Sequence, residues 1–116
     1  MEARAVWPRV AIRYFDGCPN WRTTYHRVNE VLAALGFQDA KVTLERVETA
    51  EDAERLRFIG SPTILFEGED PFAADTDGGY GLSCRVFSTP EGPAGSPTKE
   101  QLAEVLAARL GGHTTS

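Results

Sequence analysis

Val10 to Phe15 is a compact apolar run carrying one charge, Arg13, and it stops at Asp16-Gly17, where an amphipathic stripe begins with no linker between. Trp21, Tyr25, Val28, Leu32 and Leu35 follow at steps of four, three, four and three, with Val31 beside them. That spacing draws one face of a helix from Cys18 or Pro19 to Leu35. Pro19 falls in the first turn, where its missing N–H goes unnoticed, and Gly36 is a natural stop. A buried strand running straight into a helix points to a fold built on strand–helix steps.

The rest of the chain continues the pattern. Lys41 to Val47 alternates, Val42 and Leu44 against Thr43 and Glu45, as a strand near a sheet edge does. Thr49 with Asp52 predicts a capped short helix through Leu56 or Phe58, ended by Gly60. A turn at Ser61-Pro62 leads into a strand over Thr63 to Phe66. Residues 68 to 81 read as a polar, glycine-rich loop, Cys84 to Phe87 as a short strand, and 88 to 97 as a second loop. Thr98 with Gln101 forms a capping box for a last helix using Leu102, Val105, Leu106 and Leu110, closed by Gly111-Gly112. The first three elements suit a right-handed parallel unit. The third and fourth strands suit antiparallel pairing, with helices on both faces. This predicts one α/β domain over 1–116, with a core of about 9–110 and a tail of 111–116.

Composition narrows the function. The chain has 116 residues and a formal net charge of −5. No basic block suggests a nucleic-acid partner. No apolar run approaches the roughly 20 residues of a membrane span. Arg4, Pro8, Arg9 and Arg13 interrupt any signal-peptide core, so a cytoplasmic location is expected. Two cysteines in such a setting are expected to be reduced.

Cys18 is the first candidate for chemistry. A helix start presents unpaired N–H groups and the positive end of the helix dipole. Both stabilise a thiolate, the form that attacks disulfides and binds soft metals. Arg22 adds positive charge one turn on, and Asp16 opposes it. The alternative is a small buried hydrophobe. Trp21 heads the apolar stripe, so packing under the helix start competes with a role as a wall of a binding groove. Cys84, placed at the start of the returning strand, is expected to lie in the core at the end away from Cys18. His26 and His113 lack the paired spacing of a zinc site. Asp75-Thr76-Asp77-Gly78 lacks the rest of a calcium loop and reads as a solvated turn. No histidine–carboxylate pair accompanies Cys18 or Ser61, which argues against hydrolysis.

Phe15-Asp16-Gly17-Cys18-Pro19-Asn20-Trp21 and Gly60-Ser61-Pro62-Thr63-Ile64, in register with this element order, resemble the thioredoxin-like superfamily. The resemblance covers roughly residues 9 to 110 and is nearest to small bacterial single-cysteine members. It implies a thioredoxin-like fold with a four-stranded mixed sheet flanked by three helices. It also implies a cis Pro62 facing Cys18, a Ser61 backbone that pairs with an extended substrate, and a Ser61 hydroxyl that donates to the thiolate. The chain departs from the dithiol pattern, because Trp21 stands where the second cysteine would be. That leaves one-cysteine chemistry, with Cys18 as nucleophile, Ser61, Pro62 and Trp21 at the substrate, and a small thiol such as glutathione or a protein disulfide as partner. No cofactor or metal is expected. The competing expectations are a non-catalytic binding domain on the same fold, with the acidic loop 67–83 as its surface, and a soft-metal or organomercurial handler.

Overall fold

The computed structural model describes residues 9–37, 40–72, 82 and 85–113, with side chains through residue 109. The elements are β1 (Val10–Tyr14), α1 (Asn20–Ala34), β2 (Val42–Arg46), α2 (Ala50–Arg55), β3 (Thr63–Phe66), β4 (Phe87–Thr89), β5 (Gly92–Ala94) and α3 (Lys99–His113). Together they make an α/β domain with a mixed sheet and three helices. β1 lies at the centre of a sheet ordered β2-β1-β3. It runs parallel to β2, with Ile12 opposite Leu44, and antiparallel to β3, with Ile12 opposite Ile64.

Side chains alternate across this sheet. Val10, Ile12, Ile64 and Phe66 face the main core, packed with Val28, Val31 and Leu32 of α1 and Leu102 and Leu106 of α3. Each such side chain contributes about 1.5–3 kcal/mol by leaving water. On the opposite face Arg13 pairs with Glu45 through Nε at 2.8 Å and donates from a terminal nitrogen to Leu56 O at 3.1 Å. Val47, Ala53 and Phe58 form a second, smaller cluster there, with Phe15 and Leu56 against it. α2 is only six residues long, so its cover is partial. A groove of about 580 Å³ lined by Ala11, Thr43 and Leu65 lies along the same face. The expectation of helices over both faces therefore holds for one face and for one end of the other.

Both α1 and α2 end in a Schellman turn. Phe37 N–H donates to Leu32 O at 2.8 Å and Phe58 N–H to Ala53 O at 2.7 Å, with Gly36 at φ 93° and Arg57 at φ 57° in the left-handed position. The second turn drops Phe58 into the small cluster and delivers the chain to Gly60-Ser61. Thr49 caps α2 by accepting from Asp52 N–H at 3.0 Å. Thr98 and Gln101 complete their reciprocal box at 2.9 and 3.0 Å.

The expectation of one four-stranded sheet is corrected. The described strands form the three-stranded sheet and a separate β4-β5 hairpin. Phe87, expected to end the fourth strand, begins β4 and pairs with Ala94. The stretch 88 to 97, expected as loop, holds the hairpin, turned at Pro90-Glu91 with Gly92 at φ 107°. A two-stranded ribbon has open edges, so Pro93 forfeits no ladder bond there. α3 also runs past its expected stop, through Gly111-Gly112 to His113. A glycine costs only about 1 kcal/mol in a helix relative to alanine.

Candidate functional site

The chain between β1 and α1 is a tight turn. Cys18 N–H donates to Phe15 O at 3.2 Å, closing it over Asp16-Gly17. A Cβ on Gly17 would stand 2.5 Å from the Phe15 ring, so the turn admits only glycine while that ring stays folded over it. Pro19 is the N-cap of α1 and makes no side-chain capping bond. Cys18 thus precedes the cap by one residue, just outside the first turn where the sequence placed it. The positive end of the α1 dipole still lies beside it.

Cys18 is fully buried. Its thiol donates to the Ser61 carbonyl, Sγ to O 3.5 Å, which joins the two motifs across 43 positions of chain. The Ser61-Pro62 peptide is cis, and Gly60 through Ile64 are all buried. Ser61 Oγ is buried with no hydrogen-bond partner. Thr63 Oγ1 donates back to Gly60 O at 2.6 Å and tightens the turn.

Arg85 completes this cluster and was not singled out by the sequence. Its backbone N–H donates to the same Ser61 carbonyl at 2.8 Å. Gly60, at φ 142°, backs directly onto it: a Cβ there would lie 3.0 Å from Arg85 Cβ and 3.3 Å from its Cα. The Arg85 side chain is 1% exposed and pairs with Asp70 at 2.8 Å. It also donates to Phe72 O at 2.5 Å and stacks over the Phe87 ring at 4.6 Å, with Nε left unpartnered. Two expectations change. The Ser61 carbonyl is not an open edge for a substrate strand, because both its lone pairs are engaged. Position 85 lies at the Cys18 end of the molecule, whereas the returning strand was expected to begin at the far end. Cys84 itself, Asp75 to Gly78 and most of loop 67–83 lie outside the described residues.

Trp21 stacks on Tyr14, centroids 4.2 Å apart at 28°, with the Arg22 guanidinium 5.1 Å from its ring. It is half-buried and packs against the main core. The structure therefore brings Cys18, Ser61 and Pro62 together and sets Trp21 beneath the helix start.

A second wall flanks α1. Gly95 abuts the Asn20 side chain so closely that a Cβ would collide with it. Thr24 Oγ1 donates to Ser96 Oγ at 2.7 Å, Ser96 Oγ donates to Pro97 O at 3.2 Å, and Arg27 donates to Pro97 O at 2.8 Å. The sequence held a signal for this wall: Gly-Ser-Pro-Thr stands at 60–63 and again at 95–98. Beside the turn a groove of about 310 Å³ is lined by Asp16, Gly17, Arg46, Glu48 and Leu82. Arg46 bridges Glu48 at 2.9 Å and Asp16 at 3.0 Å. The hydrogen bond that Arg46 donates to Glu48, then the Glu48 charge, then Asp16 raise the guanidinium further above its ordinary value.

His26 is exposed, edge-on to Tyr25. Among the described residues no three His, Cys, Asp or Glu side chains gather into a metal-binding group, and no helix is long and apolar enough to cross a membrane. No described protein family, curated protein or solved structure matches this chain.

Proposed function

We propose that the chain is a monothiol thioredoxin-like protein that exchanges disulfides through Cys18. The observation that carries this reading is the contact between the Cys18 thiol and the Ser61 carbonyl. It ties a cysteine at a helix start to a proline turn, the pairing that the thioredoxin-like resemblance implies for a thiol-exchange site. The parallel β1-α1-β2 unit, with β3 antiparallel on the other edge of β1, supports the fold reading.

The chemistry follows from one sulfur. The Cys18 thiolate attacks one sulfur of a disulfide; a new S–S bond forms at Cys18 as the old one breaks, and the departing thiolate takes up a proton. Trp21 stands where an internal resolving thiol would be. A second, external thiol therefore attacks the mixed disulfide and releases Cys18. The buried, unpartnered Ser61 hydroxyl is a donor suited to the anionic sulfur, and the α1 dipole acts in the same direction. A small thiol such as glutathione, or a protein disulfide, is the proposed partner.

The test is the rate of Cys18 alkylation against pH on a Cys84→Ser background, followed by mass-spectrometric detection of a mixed disulfide with an added small-molecule disulfide. Adduct formation and its release by a second thiol support the reading. A folded protein whose Cys18 never forms the adduct sinks it. The complete burial of Cys18 favours one second reading, a binding domain on the same fold without turnover. That reading expects adduct formation only after unfolding.

A further inference from the structure

We infer that the buried Asp70–Arg85 pair is an autoinhibitory latch holding the chain's own Arg85 backbone where a substrate strand would pair with Ser61. The inference rests on the thiol-exchange reading and names how that site is regulated.

Arginine is almost never fully buried unless it is paired. Arg85 is 1% exposed and its partner Asp70 12%. Three groups grip the guanidinium: the Asp70 carboxylate, the Phe72 carbonyl and the Phe87 ring. What they secure is the Arg85 backbone N–H against Ser61 O. Gly60 fits flush against that backbone, so the contact is close along its length. The carbonyl has two acceptor positions. One holds the Cys18 thiol and the other holds Arg85. A peptide adding to this edge by its backbone must displace Arg85 first.

The latch is built to release. Arg85 Nε has no partner, so the buried cation is held with one donor unsatisfied. Remove the negative charge of Asp70 and a buried, uncompensated guanidinium is driven toward water. The Arg85 backbone then leaves Ser61, and Cys18 becomes reachable.

Asp70→Asn on the Cys84→Ser background tests this directly. Alkylation of Cys18 at fixed pH is expected to rise at least tenfold with the circular dichroism unchanged. Glu69→Gln, which removes the neighbouring exposed pair with Arg109, is expected to leave the rate alone. A folded Asp70→Asn protein that alkylates at the parent rate overturns the latch. Should Asp70→Asn fail to fold, amide hydrogen exchange in the parent decides. Exchange at Arg85 at least tenfold faster than at Ile12 in β1 supports a local opening; exchange at Arg85 only together with Ile12 overturns it. The two readings fail separately. A variant that alkylates faster but forms no mixed disulfide keeps the latch and loses the exchange activity. A parent that forms the mixed disulfide at a rate Asp70→Asn leaves unchanged keeps the activity and loses the latch.

Discussion

Gly60-Ser61-Pro62-Thr63 and Gly95-Ser96-Pro97-Thr98 are the same four residues, and both lie against the start of α1. The first reaches it through Cys18, the second through Asn20 and Thr24. Their polar atoms differ in fate. Ser96 Oγ accepts from Thr24 and donates to Pro97 O, while Ser61 Oγ is buried with no partner. Thr98 caps a helix, while Thr63 folds back onto its own turn. Folded proteins leave few buried polar groups unpaired, and an exception calls for a reason. The satisfied copy is a structural brace. The unsatisfied copy leaves a buried hydroxyl unpaired in the residue whose carbonyl accepts from the Cys18 thiol.

The glycines give the sharpest way to break this contrast. Gly60→Ala places a side chain at φ 142° and against the Arg85 backbone; roughly 1–3 kcal/mol is lost to backbone strain alone. Gly95→Ala meets only the end of the Asn20 side chain, which can swing aside, so its loss should stay below about 1 kcal/mol. Urea midpoints compare the two, and equal losses would erase the distinction.

The serines come next. Ser96→Ala strands the Thr24 hydroxyl in the core and should cost about 1–2 kcal/mol. Ser61→Ala removes a hydroxyl that already lacks a partner, so stability should barely change while Cys18 alkylation slows. A stability loss at Ser61 matching that at Ser96 would mean that both hydroxyls are braces.

The threonine cap should read smaller again. Thr98→Ala removes the α3 capping box and should cost about 1 kcal/mol, visible as a lower thermal midpoint. Smallest of all is Asp52, on the helix that feeds the first turn. Its carboxyl is held below the usual range by the hydrogen bond from Arg55, against some opposing desolvation. A folded value below the unfolded one gives stability that is present above the unfolded value and fades as pH falls through the folded one. Asp52→Asn should therefore lower stability slightly at neutral pH, flatten the acid limb of a stability–pH curve, and leave stability unchanged below the carboxyl range.

The sequence reached the parts of the molecule governed by local rules. The α1 stripe, the Thr49 and Thr98 caps and the β1-α1-β2 order follow from periodicity and capping chemistry, and all three are present. What escaped depends on partners distant in sequence. Nothing local tells Arg85 that Asp70 will neutralise it, and a lone arginine ordinarily reads as surface. The β4-β5 hairpin hid behind Pro90 and Pro93, because proline demotes a strand unless the strand lies at an edge. The site was legible as two motifs. Its occupancy was not, since only the folded chain shows that Ser61 O is already shared and Cys18 already covered.

The stack of Trp21 on Tyr14 has an optical consequence. Trp21 stands three residues after Cys18, on the first turn of α1, and the chain's other tryptophan is Trp7. With Trp7 replaced by phenylalanine, Trp21 is the sole indole. A fully covered sulfur has no room for an added group, so any adduct at Cys18 must shift the helix start or the turn above it. The tyrosine–indole overlap would change with a helix-start shift, and fluorescence emission would follow it in real time. Trp21 would thus report, from within the fold, any adduct formed at Cys18.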